Sequence, residues 1–304
     1  IRDHCVTGVQ TCALPILKIK KLKKMNTVCV CGSRELGQHQ DYEQRVRKQL
    51  IKEMDKNNWI NVGDASGGDR LCQQFLANQY YPNVIVWYIG NKPRNYANRY
   101  NQWEKRRVEG NYTTRDIQML ENSDKLIALW NSQSKGTRRN IETFEKGEVK
   151  VLTYPINITY SEKGIGGALS INDKVSRQKG YIKSSYEVYY GNNTYECAID
   201  LYNNERIKKS FINNLEPREA YEEIRKWEEK EWITEVMYAK FSSNPFLYHE
   251  VKLRGGDDWL ITCRHIGDRR NKWEGDGAAS DYIACLTEAF IRIDRVMTNR
   301  PYYC

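Results

Sequence analysis

"NVGDASGGDRLCQQFL", residues 61–76, sets three glycines and two aspartates between a short apolar segment and an amphipathic helix. Glycine lets a backbone turn through positive φ or approach another chain segment closely, and aspartate caps helices. The stretch therefore reads either as a tight turn or as a bend that holds an anion, and taken alone the turn is the simpler reading. Two further loops at comparable places change the balance. Gly32-Ser33-Arg34 follows the apolar run "TVCVCG" (27–32), and Ser132-Gln133-Ser134-Lys135-Gly136-Thr137 follows "KLIALW" (125–130).

The segments around these loops alternate strand and helix from Met25 to Ile156. Strands are expected at 27–32, 59–63, 83–89, 125–130 and 149–156, with helices at 42–54, 69–79, about 114–123 and 137–147. Short β-rich runs separated by helices predict an α/β fold, a Rossmann-like parallel sheet with helices on both faces. In such a sheet ligands bind beyond the carboxyl ends of the strands, where the strand order reverses. All three loops leave such ends. The first offers backbone access, a hydroxyl and an arginine fork suited to a phosphate or carboxylate. The third opens a helix with a glycine, two hydroxyls and a lysine, an anion site in outline.

Each loop also has a plain structural reading. The first can be an ordinary β–α turn, Asp69 an N-cap flanked by the bend residues Gly67 and Gly68, and Thr137 a cap of its own helix. Their joint occurrence at three strand ends favours a ligand crevice. The candidate binding residues are Gly32, Ser33, Arg34, Gly63, Gly67, Gly68, Arg115, Ser134, Lys135, Gly136 and Thr137, with Asp64 and Asp69 as candidate catalytic carboxylates.

The set "CGSR" (31–34), "VGDASGGDRLCQQFL" (62–76), "RDIQMLENSDKLIALW" (115–130) and "SKGTRRNIETFEKGEVKVLTY" (134–154) resembles the SLOG superfamily of Rossmann-like nucleotide-binding domains, in its YspA/YpsA-like branch. The resemblance covers a little under half of the chain and is specific as a set rather than motif by motif. It implies a sheet order 3-2-1-4-5 in the five expected strands and a nucleotide or nucleotide-derived ligand, with hydrolysis in some relatives. Those hydrolytic relatives, the cytokinin-activating phosphoribohydrolases, carry P-G-G-x-G-T-x-x-E. Here Gly136-Thr137 is kept, Ser132-Gln133-Ser134 replaces Pro-Gly-Gly, and Asn140 stands at the glutamate position. An amide cannot act as general acid or base near neutral pH. Glu142 lies two residues on, about 200° round the helix, and faces elsewhere.

The first 24 residues stand apart. "IRDHCVTGVQTCALPI" has no periodicity and resembles translated sequencing-adapter read-through; "LKIKKLKK" then leads to Met25, the expected start. A signal peptide would put its charges before the apolar run rather than after it. Of the net charge of +9, +5 lies in this leader and +4 in the rest, which weakens a nucleic-acid reading based on charge. The nine cysteines are scattered without C-x-x-C spacing, which fits a reducing, cytoplasmic setting. No apolar run reaches the ~20 residues of a membrane span.

Between the third and fourth strands, residues 90–112 and Arg115 interleave Arg94, Arg99, Arg106, Arg107 and Arg115 with Tyr96, Tyr100, Trp103 and Tyr112. This excursion reads equally as a flap that stacks a base and clamps phosphates or as a solvated basic helix packing its aromatics on the sheet. Single-stranded nucleic acid would also suit the alternation.

After residue 156 the grammar changes. Residues 157–180 read as a linker or ordered long loop, and 181–304 as a smaller α+β domain of unrecognised type. Its expected elements are a hairpin with a Gly-Asn turn (184–202), a helix (216–233) with Tyr221, Ile224 and Trp227 on one stripe after Pro217, strands at 236–243, 246–254 and 258–267, and a closing helix capped by Ser280. Pairing the last two strands would put Cys263 and His265 on one face with Glu250 opposite Cys263, but no fourth ligand has metal-site spacing, so no metal is assigned. Trp227, Trp232, Trp259 and Trp273 read as core. The "RPYYC" end raises the question of truncation.

The expected function is binding of a nucleotide or nucleotide derivative by a sensor or binding module, with no other cofactor and no membrane partner. A nucleotide hydrolase is the alternative. Nucleic acid is the less favoured partner, and homo-oligomerisation is left open.

Overall fold

The computed structural model describes residues 25–36, 40–98, 102–210, 218–266 and 273–299. The leader, Arg99, Tyr100, Pro217 and the C-terminal "RPYYC", together with the side chains of Tyr221, Ile224 and Trp227, lie outside that description.

Six parallel strands form the sheet: β1 (Thr27–Gly32), β2 (Trp59–Gly63), β3 (Val84–Ile89), β4 (Glu104–Val108), β5 (Lys125–Trp130) and β6 (Val149–Thr153), in the order β4-β3-β2-β1-β5-β6. The fold is a Rossmann-like parallel α/β sheet, and its five expected strands stand in the order 3-2-1-4-5. The sixth strand comes from within the basic excursion. β4 reads EKRRV, and its exposed Glu104, Lys105 and Arg107 lie along the open edge of the sheet, where charge discourages pairing with another chain.

The strands are continuous apolar runs because both faces are covered, and alternate residues sort to opposite sides. Val28, Val30, Ile60, Val62, Val84, Val86, Ile127 and Leu129 pack with Tyr42, Val46 and Leu50 of α1 (Gln40–Met54) and Cys72 and Leu76 of α2 (Gly68–Asn78). Their neighbours Cys29, Cys31, Ile85, Trp87, Leu126, Ala128 and Trp130 pack with Met119 and Leu120 of α3 (Tyr112–Glu121) and Ile141 of α4 (Lys135–Thr143). Cys29 and Cys31 are thus free core thiols, and burial raises the Cys29 pKa.

Beyond β6 the chain is mostly helical: α5 (Ile165–Ala168), α6 (Asp173–Gln178), a short hairpin of β7 (Val188–Tyr190) and β8 (Asn193–Tyr195), α7 (Ala198–Ser210), α8 (Arg218–Ser243), α9 (Pro245–Leu253) and α10 (Asp257–Leu260). β9 (Arg264–His265) pairs antiparallel with β10 (Gly275–Asp276), and α11 (Asp281–Thr298) closes the chain, with Ser280 Oγ accepting the Ile283 amide proton at 3.2 Å. Residues 157–180 hold α5 and α6 and supply Ile158, Ala168 and Leu169 to the second core.

Three expected strands are corrected. Residues 236–243 continue α8, because Trp232, Ile233, Val236, Met237, Lys240 and Phe241 recur at helical spacing and are all buried. Residues 246–254 form α9, started by Pro245 at its first turn, and 258–267 hold α10 and only the two-residue β9. The face that would bring Glu250 opposite Cys263 therefore does not form. Cys263 Sγ contacts the Trp259 carbonyl, and His265 Nδ1 lies 2.5 Å from the carbonyl of Ile158. The hairpin is shorter than expected, since 198–202 opens α7. Trp232 and Trp259 are core, with Trp273 packed at its margin.

Candidate functional site

β1 connects on one side to β2 and its right-hand neighbour in the sheet is β5, so the order reverses between β1 and β5. A cavity of about 380 Å³ opens there, lined among others by Gly32, Arg34, Asp69, Tyr112, Arg115, Ser134, Gly136, Thr137 and Asn140.

The glycines at its base pack backbone against backbone. A Cβ on Gly32 would lie 2.6 Å from Gly68 Cα, and one on Gly67 (φ 70°) would meet the Ser33 and Arg34 carbonyls at 2.3 Å. The Gly68 amide donates to the Ser33 carbonyl at 3.0 Å, locking the β1 and β2 loops together. Gly63 makes room for Asp69 and Arg115. Gly63, Gly67 and Gly68 thus shape the floor and do not line the cavity. Gly136 differs: it lines the cavity and has nothing within 4 Å of where a Cβ would stand.

The third loop is held open by side chains. Asn131 Oδ1 accepts from the amides of Gln133 (3.0 Å) and Ser134 (2.8 Å), with Ser132 at φ 65° between them. Ser134 caps α4, accepting from the Thr137 amide at 3.3 Å and from Thr137 Oγ1 at 3.0 Å. Ser33 Oγ sits below, 3.4 Å from Thr137 Oγ1, and accepts the Asn131 amide at 3.1 Å. The amides of Lys135 and Gly136 precede the first intrahelical bond and have no partner in the helix. The Lys135 side chain is exposed and does not line the cavity.

The two aspartates of the second loop have opposite environments. Asp64 is fully buried and accepts from the Arg94 amide (3.0 Å), Arg94 Nε (3.2 Å), Arg94 Nη2 (2.8 Å) and Arg115 Nη1 (2.6 Å). Burial alone would raise its pKa, but the Arg94 hydrogen bonds and the Arg115 charge hold it below the usual range. It lies behind the cavity wall. Asp69 lines the cavity, accepts one amide proton from Ala65 at 3.1 Å and stands 3.9 Å from Arg115 Nη2. Burial pushes it up to about 6, against the pull of Arg115.

Arg115 is buried and spent on carboxylates, with Nε and Nη2 donating to Asp116 Oδ1 at 3.0 and 2.6 Å besides its bond to Asp64. Among the described residues Arg34 has no ion-pair partner; its guanidinium stands 5.6 Å from the Tyr112 ring centre. Arg94 covers one face of that ring at 3.9 Å. Two other aromatics of the excursion serve packing: Trp103 is buried and donates Nε1–H to the Tyr81 carbonyl at 2.8 Å, and Tyr96 meets it edge-on with ring centres 6.0 Å apart.

Asp116, Asn131 and Gln133 were not singled out as site residues in the sequence. Asp116 directly follows Arg115 within α3 and lines the cavity, a placement only the fold makes meaningful. Asn140 is buried on the cavity wall, its Oδ1 accepting from Arg139 Nη2 at 3.3 Å.

No family profile matches the chain, and no curated protein matches it. Among the described residues no helix is long and apolar enough to cross a membrane. Among solved structures the chain is similar to DNA processing protein A from Helicobacter pylori, described for its single-stranded DNA binding mode. Identity is 16%, over 52% of this chain and 74% of that one, with a TM-score of 0.32. A likeness at that level carries no argument about what this chain binds.

Proposed function

We propose that the cavity binds a nucleotide or nucleotide-derived ligand by its phosphate, and that the chain works as a sensor or binding module. The observation that carries this is the α4 N-terminus. Its unpaired amides, the open space before Gly136 and the unpaired Arg34 all face one cavity at the point where the strand order reverses. Tyr112, on the cavity rim, offers a ring for a base, and the SLOG resemblance of residues 25–156 points the same way.

A hydrolase acting on the glycosidic or phosphate bond is the second reading, and Asp69 is the observation that favours it. A buried carboxyl near pH 6 can hold or release a proton at neutral pH, which Asp64, clamped by two arginines, and Asn140, an amide, cannot.

The test incubates the full chain with purine nucleotides, NAD and ADP-ribose, following thermal stability and chromatography of the small molecules together. Stabilisation without turnover, lost in Arg34→Ala and Thr137→Val, is expected. Free base or ribose phosphate formed in proportion to protein, and abolished by Asp69→Asn, would replace the sensor with the hydrolase. Salt-sensitive binding of single-stranded oligonucleotides with no response to any mononucleotide would overturn both.

A further inference from the structure

We propose that the second half of the chain completes the ligand site: Glu250 and Arg254 of the α9 region are positioning residues that fix the N-terminus of α4, although neither lines the cavity. This rests on the proposed ligand reading for its binding consequence, but not for its structural one.

Two routes lead from this pair to the cavity wall. Along the first, Glu250 Oε1 accepts from Arg138 Nη2 at 2.7 Å, and Arg138 lies one residue past Thr137 on α4. Arg138 also pairs with Glu142 at 2.9 Å on its own helix, so the side chain that ties α4 to α9 is itself held. Along the second, Arg254 donates Nη1–H to Glu250 Oε2 at 2.6 Å and to the Glu250 carbonyl at 2.7 Å. Its guanidinium lies 5.1 Å from the ring centre of Trp130, the last residue of β5. Trp130 in turn donates its indole N–H to the carbonyl of Ser134, the residue that caps α4, at 3.1 Å.

The ring closes on α4 from both ends of its first turn. Glu250, Arg254 and Trp130 are all buried, so the charges are held in place rather than averaged over solvent. Leu253 of α9 packs in the same core as Ile141 of α4, which adds an apolar hinge to the polar one. An anion site made of backbone amides depends on where the helix begins, and displacements of about 1 Å are enough to spoil such a site. From within residues 25–153 the same turn is held by Asn131, Ser33 and the Arg139–Asp116 pair, and Glu250 and Arg254 add the contacts that come from beyond the sheet.

The experiment compares the full chain with Glu250→Gln, Arg254→Met and Arg138→Gln, using AMP and adenosine as probes and amide hydrogen exchange over residues 131–138. Arg292→Gln, which removes an ion pair with Glu231 and Glu288 in the α8–α11 region, is the control. Faster exchange at 131–138 in all three variants, with AMP affinity down about tenfold and adenosine affinity unchanged, is expected from loss of a supporting shell. If Glu250→Gln fails to fold, Arg138→Gln still decides, since it leaves the Glu250–Arg254 pair whole. If the full chain binds neither probe, the exchange data alone judge the brace, and the ligand reading falls separately. Unchanged exchange at 131–138 in folded variants, matching Arg292→Gln, overturns the proposal whatever the ligand.

Discussion

The sheet region and the helical region dispose of their buried polar groups in different ways. In the second region the deepest set closes on itself and on backbone. Lys240 Nζ, fully buried, donates to the Ser170 carbonyl and to Asp173 Oδ1, both at 2.7 Å, and Tyr282 Oη–H donates to the Leu169 carbonyl at 2.7 Å. In the sheet region one set closes likewise, Lys125 on Glu53 at 2.8 Å, but another gathers at the strand ends, where the buried Asp64, Asp69, Arg115 and Thr137 stand at or behind the wall of a cavity. Closed pairs specify a fold. A cluster that faces open space has room for a ligand, and on the proposed reading recognition belongs to one region and support to the other.

Five substitutions probe that contrast, beginning with the largest effect. Lys240→Met removes the fully buried partner of Asp173, leaving only Arg177 at 3.6 Å, and should destabilise the chain by about 4 kcal/mol in denaturant unfolding, the scale of breaking a buried ion pair. Nucleotide-induced stabilisation should persist below the lowered midpoint; its loss would mean the two regions are not separable in this way. Asp64→Asn removes the carboxylate that two arginines share and should cost about 3 kcal/mol at pH 7. Because its folded pKa is depressed, that contribution is present above the ordinary carboxylate range and fades as pH falls through it.

Asp69→Asn should act with the opposite sign. A carboxyl raised from 3.8 to about 6 is more protonated when folded than when unfolded, so its stability contribution is full below pH ~4 and lost as pH rises through about 6. The variant should therefore gain about 3 kcal/mol at pH 7.5 and little near pH 4, by the ~1.4 kcal/mol that each unit represents. A gain that does not vary with pH would show that Asp69 is not the group responsible.

The smallest effects separate the floor of the cavity from its wall. Gly32→Ala forces a Cβ onto the Gly68 backbone and should cost about 1–3 kcal/mol, an overpacking penalty. Gly136→Ala meets open space and should change stability by less than about 1 kcal/mol, favourably by helix propensity. Yet Gly136→Ala should weaken phosphate-ligand binding, because its methyl projects where the ligand would lie. Equal stability losses in the two would break the distinction.

Much of the sheet region was legible from sequence, and the physical reason is local. Strands buried on both faces are apolar throughout, and Val28/Cys29 or Val84/Ile85 serve opposite faces equally well, so the run shows itself without any knowledge of its partners. β4 escaped because EKRRV is an edge strand, charged for solubility rather than apolar for packing. The helical region misled for a related reason. Residues 236–254 are rich in aromatic and β-branched side chains, and short windows such as "VMYAKFSS" cannot tell a buried helix from a strand; only the longer stripe from Trp232 to Phe241 does.

By itself, then, the sequence determined a parallel α/β sheet and three polar loops at strand ends, since alternation of apolar runs, glycine and helix caps are properties of neighbours along the chain. Only the tertiary structure decided which polar residues meet. It put Asp64 behind the wall and Asp69 on it, turned Gly63, Gly67 and Gly68 to packing and Gly136 to the cavity, and brought Glu250 against a helix and Arg254 against a strand end more than a hundred residues away. Charge, burial and pKa depend on distances through space, and those are set by the fold.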